Sequence, residues 1–259
     1  MENTIPNNKV TKSNFEVTGG KYSVRLAKDR AEIESALRLR YNVFNVELEE
    51  GLEDSHKNKL DEDEYDQHCD HLIVIENSKS KVIGTYRLQD IETATDGIGF
   101  YTSAEFNISE FPKSILNNAV ELGRACIHRE YRNGRVLFLL WRGLAKFMML
   151  TNKRYLFGCC SVTSQDPAVG FNYYNYLKEQ KYMHPEYLIT VNSEYSCKPD
   201  TVVKDIDKIK LPQLFQLYID VGCKVCSPPA LDRQFKTIDF LILLDLETIS
   251  EQTKTLFFK

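Results

Sequence analysis

Apolar and polar positions fall first into short alternating runs and then into a helical period. Tyr22–Leu26 reads as a strand. Beyond Asp29, Ile33, Leu37 and Tyr41 recur every four residues, which predicts a helix from about Arg30 to Val46 capped by Asp29. Leu72–Glu76 and Val82–Gln89 are strand-like, and the polar Asn77-Ser78-Lys79-Ser80 joins them as a hairpin turn. Residues 90–118 scatter Gly, Ser and Asn and predict only a short helix opened by Pro112. Ala119–His128 is a strand. Val136–Asn152 is a helix apolar around most of its circumference, so it packs as a buried element against the sheet. A strand over Tyr155–Ser161 precedes a helix from Asp166-Pro167 to about Gln180. A short helix over Pro212–Val221 stops at Gly222, and Thr237–Leu246 is a long apolar strand. Strands that meander first and alternate with helices later give an α/β (α+β) architecture, a mixed sheet with helices on both faces. The polar residues 1–20 read as a flexible leader and 21–259 as one domain.

Composition narrows the function classes. With 42% hydrophobic and 27% charged residues the chain can bury a real core, and 259 residues suit a single α/β domain. A net charge of -4 argues against a nucleic-acid partner. Residues 1–20 contain no apolar signal segment, and the most apolar helix, Val136–Leu150, is interrupted by Arg142 and Lys146 and is too short to span a bilayer. A cytoplasmic location follows, and the seven cysteines, an odd number, read as reduced thiols. No metal is expected. Cys223 and Cys226 form a lone CxxC without a second pair, and His68, Cys69 and His71 lack a fourth ligand. The acidic run Asp61-Glu62-Asp63-Glu64 suggests a cation loop, but the sixth position of an EF-hand would be Asp66 and the twelfth Leu72. As a whole the run reads as a solvated face.

The most informative stretch is Glu121-Leu122-Gly123-Arg124-Ala125-Cys126-Ile127-His128. Ionisable groups on a core strand are costly unless paired. Glu121 and Arg124 would face opposite ways on a regular strand, but a bulge at Gly123 would bring them to one side. Such a bulge splays strands and frees backbone N–H groups, here near Ala125 and Cys126, which could receive the negative charge of a thioester carbonyl under attack. Two readings stand at this point: a buried structural pair, or catalytic groups. Downstream, residues 129–154 carry seven basic residues and one acidic residue, with Arg142 and Lys146 on one helix face. That stretch is either a plain basic surface or a docking face for an acidic carrier.

The ordered set LRLRYNVFNVELEEG (37–51), YDQHCDHLIV (65–74), VIGTYRL (82–88), ELGRACIHREYRN (121–133), LLWRGLAKF (139–147), YLFGCCS (155–161) and PPALDRQFKTIDFLILLDL (228–246) resembles the Gcn5-related (GNAT) acyltransferases. The likeness is to the long-chain amino-acid N-acyltransferase branch, the hemolysin-like enzymes that make lyso-ornithine or glycine lipid. This branch is similar to the acyl-homoserine-lactone synthases. Their pattern is matched here at Arg40 and Phe44 in the first helix, Asp63 and Asp66 as a D-x-x-D pair, Arg87 on the third strand, and Glu121 and Arg124 on the fourth. The tryptophan expected after the first helix is missing, which argues against homoserine-lactone synthesis itself. The coenzyme-A pyrophosphate loop, Q/R-x-x-G-x-G/A, is reduced to Arg132-Asn133-Gly134-Arg135-Val136-Leu137, with one glycine out of register.

The resemblance implies a GNAT-like, mostly antiparallel sheet with a V-shaped splay. It implies transfer of a (3-hydroxy)acyl chain from acyl carrier protein, with acyl-CoA as the other thioester donor, to the α-amine of ornithine, glycine or a similar amino acid. No permanently bound cofactor is expected. Glu121 would be the base, Arg124 would orient it or bind a carboxylate, and N–H groups near Ala125 and Cys126 would form the oxyanion site. Arg40, Phe44, Asp63, Asp66 and Arg87 would shape the acceptor site. Arg132, Arg135, Arg142 and Lys146 would meet the carrier, with a peripheral contact to the cytoplasmic membrane face as a further expectation. Cys126 as a covalent nucleophile is a weaker reading, because His128 is the sole candidate activating base nearby. The rival readings are an autoinducer synthase using S-adenosylmethionine and a non-catalytic lipid-binding module.

Overall fold

A computed structural model describes residues 15–198 and 209–258. The strands are β1 (Val17–Gly19), β2 (Tyr22–Leu26), β3 (Asp70–Glu76), β4 (Lys81–Asp90), β5 (Ala119–Ile127), β6 (Tyr155–Val162), β7 (Lys224–Val225), β8 (Ala230–Asp232) and β9 (Thr237–Asp245). They form one sheet in the order β1-β2-β3-β4-β5-β6-β9-β7, with β8 also paired to β9. Each pairing is antiparallel except β5 with β6. The meander, the mixed sheet and the helices on both faces are as the sequence predicts. The leader predicted for 1–20 ends sooner, because Phe15 is buried and Val17–Gly19 pairs with Val24–Tyr22. Residues 1–14 lie outside the described residues.

Helix α1 (Arg30–Tyr41) starts where Asp29 accepts a hydrogen bond from Glu32 N, and it widens into a π-helical turn over Asn42–Glu47, after which the one-turn α2 (Ser55–Asn58) follows. It covers one face of the sheet, where Ala36, Leu39, Val43 and Phe44 meet Ile73, Val82 and Cys126. On the opposite face α5 (Arg135–Thr151) sets Val136, Leu140, Leu144 and Phe147 against Val24, Leu72, Ile83 and Val120. Each such buried aliphatic or aromatic side chain stabilises the fold by roughly 1.5–3 kcal/mol. Helices α6 (Pro167–Glu179) and α7 (Gln213–Val221) extend that layer, and α7 stops at Gly222, whose φ of 114° suits glycine. The last helix, α8 (Glu251–Phe258), lays Phe257 against Trp141. No helix among the described residues is long and apolar enough to cross a membrane.

Residues 90–118, unreadable by period, form α3 (Ile91–Asp96), two 3₁₀ turns (Tyr101–Ala104 and Ile108–Glu110) and α4 (Lys113–Leu116). Phe100, Phe106, Phe111 and Ile115 build a second core there with Phe157, Leu241 and Leu243. Irregular backbone persists because long-range packing, and not a local repeat, holds it. The seven cysteines are free thiols, and burial pushes Cys223 and Cys226 up and keeps them protonated.

The pairing of β5 with β6 covers only Ala119–Glu121 against Tyr155–Phe157. Beyond it β5 follows β4 and β6 follows β9, so Leu122–Ile127 and Gly158–Val162 diverge. This is the V predicted from the resemblance. At its apex the backbones nearly touch. A Cβ on Gly158 would lie 2.2 Å from the Leu122 carbonyl oxygen, a contact no side chain can make.

Candidate active site

The strand β5 does bulge, but at Arg124 and not at Gly123. Thr85 pairs with Cys126 and Arg87 with Gly123, so one residue of β4 faces two of β5. Arg124 takes up the irregularity with φ 50°, an unfavourable conformation for an arginine. The extra residue turns Arg124 to the α1 face, while Leu122, Ala125 and Ile127 pack into the core around α5.

On that face the sequence-predicted acceptor residues converge. Arg40, wholly buried, donates to Asp61 Oδ2 at 2.7 Å and to both oxygens of Asp66 at 2.6 and 3.0 Å. Arg87 Nη1 donates to Asp63 Oδ1 at 2.5 Å and reaches Asp66 Oδ1 at 3.3 Å. Arg124 Nη2 donates to Asp63 Oδ2 at 3.0 Å. Three arginines thus face three aspartates. Burial works against the charges of Asp63 and Asp66, but the guanidiniums outweigh it and hold both carboxyls below the usual range. The rings of Tyr101 and Phe235 lie 4.8 and 4.5 Å from the Arg124 guanidinium, and Phe44 packs edge-on against Phe235 at 5.3 Å. Buried Asp61 belongs to this core although the run that contains it read as solvated, because inward and outward residues alternate within it. His71 donates from Nε2 to the Asp66 carbonyl at 2.9 Å, and burial keeps it neutral, so it supports the loop as a hydrogen-bond donor.

Glu121 and Arg124 are not a pair. The Glu121 carboxylate accepts from Tyr101 N at 3.0 Å, Thr102 N at 2.7 Å and Thr102 Oγ1 at 2.6 Å. It caps the 3₁₀ turn that sequence reading could not resolve, and Arg124 does not orient it. Burial pushes its pKa up, partly opposed by those three hydrogen bonds. Across the strand, Arg87 is beside Gly123, where a Cβ would lie 4.0 Å from Nη2. Arg87 Nη2 is buried and has no partner. The Cys126 thiol sits under α1, where burial pushes it up to about 12, so it is a poor nucleophile.

The acetyltransferase (GNAT) domain family matches residues 39–142. An L-ornithine N(alpha)-acyltransferase of Rhodobacter capsulatus is 32% identical over 89% of this chain and 92% of its own length. The chain belongs to this acyltransferase family. A second enzyme of that name, from Rhizobium meliloti, is 31% identical over 87% of this chain and 80% of its own. The fold also matches the AHL synthase LasI (TM-score 0.51, 14% identity, 92% of this chain and 94% of that one). It matches FeeM, an N-acyl amino acid synthase from uncultured soil microbes, with TM-score 0.51 and 9% identity over 90% and 97% of the two chains.

In this acyltransferase the basic residues expected to meet a carrier are dispersed. Arg132 pairs with Glu47 and donates to the Ile127 carbonyl at 3.0 Å. Arg135 is exposed at the start of α5, and Arg142 and Lys146 are half-buried along it with no ion pair among the described residues. Two narrow apolar cavities lie behind the V. One is lined by Leu122, Trp141, Gly158, Tyr218 and Ile242, and the other by Trp141, Met148, Leu244 and Phe257.

Proposed function

We propose that the enzyme transfers a long acyl chain from acyl carrier protein to the α-amine of ornithine. The supporting observation is the meeting of Glu121 and the bare edge of Arg87 where β5 and β6 part. The thioester carbon lies in that opening and its acyl chain enters the apolar cavities by displacing their lining. Arg87 Nη2, unpartnered over side-chain-free Gly123, takes the acceptor carboxylate. A carboxylate has about four lone-pair sites, and Glu121 uses three, so Oε2 retains one to take the ammonium proton directly or through a water. The freed amine forms the C–N bond, the C–S bond breaks, and the thiolate leaves with the donor arm, taking up the proton that the nitrogen loses as it becomes an amide. Main-chain N–H groups of the bulge near Ala125 and Cys126 face the developing oxyanion.

Acyl carrier protein is favoured over coenzyme A because the phosphate-binding turn is already in use. The Asn133 side chain accepts from Arg135 N, and Arg132 is tied to Glu47. Mass spectrometry of the N-acyl product, with a thermal melt of the same preparation, tests Glu121. Glu121→Gln should fold and lose roughly 10²–10⁴ in turnover. Near-wild-type turnover in the folded variant would remove Glu121 from the mechanism.

A further inference from the structure

Beyond the residues already described, the α1 face of the sheet buries a second set of acids across the opening. Glu105 follows the 3₁₀ turn that Glu121 caps, Cys159 is on β6 and Asp239 on β9, and one ligand atom of each lies within 4.8 Å of the others. Asp232 is close by. Among the described residues no lysine, arginine or histidine pairs with Glu105, Asp232 or Asp239. Glu105 Oε2 and Asp239 Oδ1 are buried without a hydrogen-bond donor. A separate group points the same way: Thr237 is fully buried with its hydroxyl beside the Asp239 carboxyl, and that hydroxyl makes no hydrogen bond of ordinary length.

We propose that Glu105, Asp239 and Thr237 hold the side-chain ammonium of a dibasic acceptor amino acid. The proposal rests on the reading of the opening as an amino-acid acylation site. An ammonium carries three N–H donors and accepts nothing, and the three unsatisfied oxygens are acceptors. Burial and the neighbouring carboxyls raise Glu105 well above the carboxylate range, and burial lifts Asp239 to about 6. A bound cation removes that frustration. The spacing also fits. A 3₁₀ turn rises about 2.0 Å per residue, so Glu105 is roughly 8 Å along the backbone from the amides that cap Glu121. Five bonds of about 1.5 Å separate the two nitrogens of ornithine, which spans roughly 6 Å when extended. An aliphatic acceptor would leave the carboxyls uncompensated.

The test compares ornithine with norvaline, which has the same carbon skeleton without the second amine, on the full chain and on E105Q, D239N and T237V. Wild type should favour ornithine in kcat/KM by roughly 10²-fold or more, and the preference should fall at least about tenfold in E105Q or D239N and less in T237V. The ornithine KM should rise more than kcat falls. A ratio unchanged in folded variants, or absent in wild type, overturns the proposal. Zinc or calcium chloride that stabilises wild type and not D239N, with no ornithine preference, assigns the cluster to a metal and also overturns it. Wild type that acylates no amino acid at all refutes the acylation reading beneath it.

Discussion

The two buried charge clusters on the α1 face differ in how they are neutralised. Around Arg40, Arg87 and Arg124 each guanidinium meets an aspartate, and the loop from Asp61 to Asp66 is fixed between α1, β4 and β5. Around Glu105 and Asp239 only acids and a thiol meet, no cation from among the described residues joins them, and burial raises both carboxyls. The first cluster is complete as folded and works as scaffold, with one guanidinium edge left over. The second is neutralised by protons or by a cation from outside. Self-compensation marks architecture here, and missing compensation marks a binding surface.

The largest effect expected is on the complete cluster. Arg40→Met would strand Asp61 and Asp66 in the interior and should cost about 3–5 kcal/mol in urea denaturation. A loss below about 1 kcal/mol would mean that water reaches the cluster and that the contrast is false. The acidic cluster should respond to pH with the sign of a raised carboxyl. Its stabilisation is full below the unfolded Asp pKa near 3.9 and is lost as pH rises through about 6. Asp232 pushes Asp239 the same way as burial, while Glu105 and the Ser161 and Thr237 hydroxyls oppose them. For Asp239 this loss is on the order of 2–3 kcal/mol, so D239N should lose less stability than wild type between pH 4 and 7. Parallel curves in urea melts across that range would show that Asp239 titrates normally. The smallest effect lies at the surface. Reversing Arg142 and Lys146 to Glu should weaken a carrier-protein donor by about 0.2–1 kcal/mol per charge, less at high salt, and leave a short pantetheine thioester alone. Equal harm to both donors would place these half-buried residues in the packing of α5.

Much of the complete cluster was legible because its members carry a motif: Arg40, Asp63, Asp66 and Arg87, picked out together in the sequence, meet in the structure. Asp61 was hidden in a run whose acids differ only in which way they point. The presumed partnership of Glu121 and Arg124 failed because both are engaged by residues of other segments, Thr102 and Asp63, that no local period reveals. Glu105 had no readable signal in an irregular stretch. Asp239 did have one: an acid in the interior of the apolar strand Thr237–Asp245 asks what it is for. The opening meander was recoverable from alternation, whereas the site of the bulge was not, since glycine looked the cheaper residue and arginine adopted the turn.

The three-residue junction between β5 and β6 also sets an order of assembly. The hairpin of β3 and β4 closes over a short turn, and β5 adds to it from nearby in sequence, whereas β6 must wait for β9, with Tyr155 pairing to Asp245. Long loops make such contacts slow to form. Amides of β3 and β4 should therefore gain protection before those of β9 in pulsed hydrogen exchange during refolding. Because Asp239 arrives with that last strand, a newly made chain would bear its arginine–aspartate core before it has anywhere to seat a second ammonium.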